Sequence, residues 1–168
     1  MDIVLLEPEI PANTGNIGRT CVVTGSSLHL IKPLGFEISE KMLKRAGLDY
    51  WSKLDVTVYE DYDEFRSRNP DRRIWYLTTK AERSYAAVDY RPDDLLMFGK
   101  ETAGIPEEIL VENRERCIRI PMIKEERSLN LSNAVAIVLY EALRQNDFCG
   151  LEKQGALHRL EWTGKEVK

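Results

Sequence analysis

Histidine and cysteine are scarce, and that scarcity removes several chemistries at once. The 168-residue chain carries two histidines and three cysteines. Cys21, Cys117 and Cys149 are too few and too scattered for a disulfide framework or the close spacings of a metal site, which favours a reducing compartment. His29 lies in an aliphatic run and His158 near the C-terminal end. With no G-x-S-x-G elbow either, a Ser-His-Asp hydrolase is not expected. No apolar run approaches the roughly 20 residues of a membrane span. The opening MDIVLLEPEI enters a strand pattern directly, without a basic region or a small-residue cleavage site, so a cytoplasmic protein with no membrane partner is expected. Positive charge is not in excess: 24 basic against 28 acidic residues give a net charge of −4. That balance argues against a chain-wide electrostatic grip on nucleic acid and leaves only local patches. The basic residues gather at Lys41, Lys44 and Arg45, at Arg66, Arg68, Arg72 and Arg73, and at Arg114, Arg116 and Arg119. Clusters of this kind are most often solvated faces.

What is present is an ordinary core. Hydrophobic residues make up 43% and charged ones 31%, enough for one domain without staples. Short aliphatic runs alternate with helical patterns. Strands are expected at residues 2–6, 28–31, 56–59, 74–78, 94–98 and 117–120. Helices are expected from Asn13-Thr14, acting as caps, to Val23 with Gly25 closing; from Ser39 to Ala46; after Asp61; from Pro106 to Val111; and from Ser132 to Gln145. Strands separated by helices imply βαβ units, hence an α/β fold with a mostly parallel sheet flanked by helices.

Three stretches carry more polar or glycine residues than folding requires. The first is NTGNIGR at residues 13–19, which resembles a turn into a helix N-terminus but matches neither G-x-G-x-x-G nor a Walker motif. Arg19 sits early on that helix, where the dipole does not favour a cation. The second is LLMFGKETAGIP at 95–106, a buried strand running into a glycine-bounded loop. Ligands of open α/β sheets bind beyond such strand ends. The third is IRIPMIKEERSLNLSNAVAIV at 118–138, on which the chain is organised. Ser128, Asn130, Ser132 and Asn133 crowd six positions, more than one helix cap needs.

Together these stretches resemble, in order, the three motifs of the SPOUT class of RNA methyltransferases. They are most similar to its small tRNA wobble-nucleotide ribose 2′-O-methyltransferases. LLEPEIPANTGNIGR, the RAGLDYW run at residues 45–51 and the strand end Leu77-Thr78-Thr79-Lys80 extend the resemblance over residues 1–148. That span is the expected methyltransferase domain, followed by a tail at 149–168 that either docks as a helix or frays. The resemblance implies a deep C-terminal trefoil knot, a feature that general topology rules do not lead one to expect. It implies S-adenosylmethionine held by loops 77–79, 99–104 and 120–129, with Leu77, Gly99, Glu101, Ile120, Ser128 and Leu129 at the cofactor. It also implies a homodimer and no metal.

The resemblance assigns catalysis to Arg19, Ser128 and Asn130. Arg19 either activates the ribose hydroxyl with help from an RNA phosphate, or stabilises the developing alkoxide or positions the phosphate; the latter roles are physically easier for a group that stays protonated. Ser128 and Asn130 would orient the ribose and the loop. Glu101 either supports the donor or holds Arg19. The implied partner is a tRNA anticodon stem-loop, the target being cytidine or 5-carboxymethylaminomethyluridine at position 34 of leucine tRNAs. The alternatives are another tRNA or rRNA 2′-O-methylation site, or a non-catalytic RNA- or nucleotide-binding protein on the same scaffold.

Overall fold

A computed structural model describes residues 1–37, 51–126, 128–160 and 162. The short helix expected from Ser39 and the cluster Lys41, Lys44 and Arg45 lie outside them. Seven strands form one parallel sheet: β1 (Asp2–Leu6), β2 (Leu28–Ile31), β3 (Val56–Tyr59), β4 (Ile74–Leu77), β5 (Arg83–Ser84), β6 (Leu95–Phe98) and β7 (Cys117–Arg119). Their order across the sheet is β3-β2-β1-β6-β4-β7-β5. β1 is central, pairing Ile3 with Leu28 on one side and with Leu96 on the other.

Side chains alternate along these buried strands, so each strand feeds two cores. Ile3, Leu5, Leu28, Leu30, Leu96 and Phe98 face α1 (Pro11–Thr24) and α4 (Leu131–Gln145), meeting Ile17 and Cys21 of the first helix and Val135, Val138 and Leu139 of the second. Val4, Leu6, Ile74, Tyr76, Leu95 and Met97 face the opposite layer, where α2 (Tyr62–Arg68) supplies Phe65 and α3 (Glu107–Glu112) supplies Leu110. Burial pushes the Cys21 thiol up to about 12, with the Asp2 charge adding to the effect. Cys21 is therefore a core residue and not a nucleophile.

Most elements fall where the hydrophobic pattern puts them, and the differences have local causes. The Asp61 carboxylate caps α2 by accepting the Glu64 amide at 2.8 Å, and Gly25 closes α1 at φ 67. Asn13 and Thr14, however, are not caps. Pro11 opens α1, since a residue without an N–H and with φ already fixed suits the first turn, and Ile10 before it has no side-chain acceptor. The final helix starts one residue early because Asn130 is its cap. β5 carries no aliphatic run and was not expected. After α4, Phe148 and Leu151 pack against the α1/α4 core; among the described residues of the tail, 152–160 form no helix.

Buried charges at the start of the strands are paired. Asp94, with no exposed surface, takes Arg73 in a two-pronged contact at 2.7 and 2.6 Å, the Trp75 indole N–H at 3.0 Å and the Arg91 amide at 2.9 Å. Asp2 accepts the Ser27 amide at 2.9 Å and Arg72 at 2.7 Å. Burial opposes its ionisation, but the His29 imidazole 3.9 Å away, the Ser27 amide and Arg72 outweigh it and hold its carboxyl well below the usual carboxylate range. Arg72 and Arg73 thus serve the fold as partners of these carboxylates.

Candidate active site

Adjacent strands β1 and β6 send their connections to opposite layers, β1 to α1 and β6 to α3. Such a divergence opens a crevice at the carboxyl ends of the strands. There the structure has a cavity of about 540 Å³, within the range of small-molecule sites. Its wall comes from five places in the sequence: Ile10 and Asn13 after β1, residues 77–80 after β4, residues 98–104 after β6, Ile120 and Met122 after β7, and residues 128–131 with Ala134 at the start of α4. Leu77, Gly99, Glu101, Ile120, Ser128, Leu129 and Asn130, scattered over the chain, all line it.

A polar chain holds these loops together. Glu101 anchors the chain leading into α1: its carboxylate takes the Glu9 amide at 2.8 Å, the Ile10 amide at 3.2 Å and Asn13 Nδ2 at 2.9 Å. An anion beside the unpaired N–H groups of a helix N-terminus is stabilising. Asn13 Oδ1 in turn accepts Asn130 Nδ2 at 2.9 Å. The Asn130 side-chain oxygen caps α4, accepting the Ser132 amide at 2.9 Å and the Ser132 hydroxyl at 2.7 Å. One carboxylate and two amides therefore join the first turns of both long helices to the glycine loop. Asn13 matters as the hinge of this chain, which sequence reasoning missed by treating it as a cap; Pro11 just before it, at the favoured first helical position, was the available signal.

The glycine loop itself is folded back tightly. The Gly104 amide donates to the Lys100 carbonyl at 2.8 Å, and Gly104 has φ +72. A Cβ on Gly99 would lie 2.1 Å from the Gly104 carbonyl carbon, so no other residue fits there. Glu7, the residue after β1, has φ 53, a conformation uncommon outside glycine. Its carboxylate accepts Lys100 Nζ at 2.8 Å and holds that ammonium above its ordinary value.

Arg19 is the exception among the expected site residues. It is on the exposed side of α1 and is not part of the cavity wall. Six residues of helix separate it from Asn13, about 9 Å along the axis at 1.5 Å per residue.

A second cavity, of about 570 Å³, lies beyond Thr78 and Lys80 against α3. Its rim is paired within itself: Lys80 with Glu107 at 2.7 Å, Arg114 with Glu82 at 3.1 Å and Arg83 with Glu115 at 3.6 Å. None of its lining residues comes from the three polar stretches, and none of the expected site residues lines it. The cavity at the strand ends is the candidate site.

Residues 1–140 match the model of the SpoU rRNA Methylase family. The chain belongs to this family. The SPOUT resemblance is thereby borne out, and with it an α/β parallel-sheet methyltransferase fold. The chain is 50% identical over 151 residues to the tRNA (cytidine(34)-2'-O)-methyltransferase of Escherichia coli, covering 89% of this chain and 96% of that one. A solved structure concerned with the 2-OH methylation of C/U34 on tRNA superposes with a TM-score of 0.81 at 42% identity, covering 87% of this chain and 95% of that one. An AdoMet-bound rRNA methyltransferase from Sinorhizobium meliloti superposes with a TM-score of 0.74 at 25% identity, covering 84% of this chain and 55% of that one. In this SpoU family member the polar chain and the glycine loop together occupy the ligand crevice of the fold.

Proposed function

We propose that this chain transfers a methyl group from S-adenosylmethionine to the ribose 2′-hydroxyl of nucleotide 34 in leucine tRNAs, where that nucleotide is cytidine or 5-carboxymethylaminomethyluridine. The observation that carries the reading is one cavity walled by all three motif stretches. The chemistry of its lining suits the donor. An adenosine moiety needs flat apolar walls and backbone donors and acceptors, and Leu77, Phe98, Ile120, Met122 and Leu129 offer the first while residues 99–104 offer the second. When bound, S-adenosylmethionine supplies an electrophilic methyl group on a sulfonium. Leu77, Gly99, Ile120 and Leu129 would hold it.

The rest falls to this chain's own side chains. The ribose hydroxyl is a weak nucleophile and must shed its proton as it attacks. Arg19, outside the cavity wall of its own chain, takes by its motif position the role of the cation for the developing alkoxide and the adjoining phosphate. Ser128 lines the cavity and would orient the ribose. Asn130 keeps the entry to α4 in place, and much of the acceleration would come from such positioning. Glu101 supports the donor loop from behind, its carboxylate engaged by the start of α1.

The reading also includes a homodimer, a trefoil knot formed by the segment before α4, and a cytoplasmic location. Support for the dimer comes from exposed apolar side chains on α1 and α4, Val23 at 60% and Tyr140 at 45%. No helix among the described residues is long and apolar enough to cross a membrane.

The test is transfer of labelled methyl from S-adenosylmethionine to total tRNA, followed by mass mapping of the modified nucleoside and sedimentation of the free protein. The expected product is 2′-O-methylated nucleotide 34 in leucine tRNAs, made by a dimer. Methylation at another nucleotide, or a chain that binds RNA without transferring methyl, would replace this reading by one of the alternatives.

A further inference from the structure

The glycine loop is stiff within itself, but its own bonds do not orient it toward the sheet. Glu101 and the Lys100–Glu7 pair tie its base to the first loop, and a separate contact fixes its tip. The Thr102 amide donates to Glu9 Oε2 at 3.1 Å, and the Thr102 hydroxyl donates to the same carboxylate at 2.8 Å. Glu9 in turn gives its own amide to Glu101 at 2.8 Å. The two loops therefore exchange carboxylates: Glu101 holds the backbone of the first loop, and Glu9 holds the tip of the second. Glu9 is braced from behind as well. The Gly35 amide donates to the Pro8 carbonyl at 2.9 Å, and a Cβ on Gly35 would lie 2.6 Å from the Glu9 carbonyl oxygen. Thr102 borders the cavity, whereas Glu9 does not.

From this geometry we infer that Glu9 and Thr102 are positioning residues for the methyl donor. The Glu9 carboxylate fixes the tip of loop 99–104 so that the loop's backbone faces the cavity. Donor affinity depends on this clasp, while the methyl-transfer step does not. The inference rests on the functional reading above. Bonds at an exposed loop tip contribute little to global stability but decide where the loop stands, so losing them acts on the ligand that the loop receives.

Four substitutions in the full chain test it: Glu9→Ala, Glu9→Gln, Thr102→Val and Thr102→Ser. Each is read by calorimetric titration with S-adenosylmethionine, by KM and kcat, and by thermal melting. Glu9→Ala and Thr102→Val are expected to raise the donor Kd and KM about tenfold, the effect of one charge-assisted hydrogen bond, with kcat within about twofold of wild type. Thr102→Ser keeps the hydroxyl and is expected to restore affinity. Glu9→Gln, with one acceptor left, falls between. The pair Glu9→Ala with Thr102→Val is expected to be no weaker than Glu9→Ala alone, since Glu9→Ala already removes the bond that the valine lacks. If Glu9→Ala melts early, Thr102→Val still decides, because it keeps the amide bond and the local fold. A donor Kd unchanged in Thr102→Val, an equal loss in kcat, or no restoration by serine would overturn the inference. A wild-type chain that binds no donor would overturn the functional reading and this inference with it, whereas a binding wild type with unchanged variants would overturn the inference alone.

Discussion

Arg19 and Asn130 stand in different relations to the site, and their substitutions should differ accordingly. Arg19 is exposed on α1 and outside the cavity wall. Arg19→Ala is therefore expected to keep donor affinity and melting temperature while lowering kcat on tRNA by at least about a hundredfold, the scale of one lost stabiliser of developing charge. Full turnover by this variant would remove Arg19 from the chemistry. Asn130 is both a cap and a member of the polar chain. Asn130→Ala is expected to cost about 1 kcal/mol of stability through the lost cap and to lower turnover further than that loss explains. Melting curves set beside activity separate the two contributions; activity falling only in step with stability would reduce Asn130 to a cap.

At the scale of elements, the start of α1 shows how a helix can be anchored by a distant residue. Ile10 offers no side-chain acceptor, and its own amide is taken by the carboxylate of Glu101, on the loop after β6. The first helix and the glycine loop are thereby one mechanical unit, and the close turn at Gly99 is part of it. Gly99→Ala would drive a Cβ to 2.1 Å from the Gly104 carbonyl carbon. Only backbone movement relieves such a contact, and overpacking of this kind costs about 1–3 kcal/mol. The expected outcome is a lower melting temperature with loss of donor binding, whereas Gly155→Ala, at a position with nothing near its Cβ, should leave both unchanged. Wild-type affinity in Gly99→Ala would show that the loop is less constrained than its geometry implies. The far end of α4 is fixed in a similar way: Gln145 accepts the Tyr90 amide at 3.0 Å and donates to the Val88 carbonyl at 3.0 Å.

For the whole molecule, acid stability should track the pairing of Asp2. Its folded-state pKa is depressed, so its contribution is present above the ordinary carboxylate range, around pH 4, and is lost as pH falls through the lower folded value. Asp2→Asn is expected to be less stable than wild type by about 1–3 kcal/mol at pH 7, because Arg72 and the Ser27 amide lose a charged acceptor. Below pH 4 the gap should narrow, because the unfolded chain's carboxyl takes up a proton that the folded one does not. Urea melts at pH 7, 5 and 3 check this; parallel stability profiles would show that another group governs the acid limb. Of the basic residues, Arg72 and Arg73 are partners of the buried Asp2 and Asp94, whereas Arg114 pairs with Glu82 at the surface.

Hydrophobic pattern was sufficient to specify β1, β2 and β3 residue for residue: β1 and β2 are buried on both faces and read as nearly continuous apolar runs bounded by breakers, and the half-buried edge strand β3 is rich in β-branched and aromatic residues. The same logic located the long helices and their parallel connections. Resemblance in three motifs named the residues that line the cavity, but as separate stretches. Their joining belongs to the tertiary structure alone. That Glu101 anchors the start of α1, that Asn13 bridges to Asn130, and that Arg19 stands outside the cavity wall depend on contacts between residues about ninety or more positions apart or on which side of a helix faces outward, as the polar chain shows. Local patterns record which groups need partners. Only the folded sheet, by bringing the ends of β1, β4, β6 and β7 side by side, decides which partners they receive.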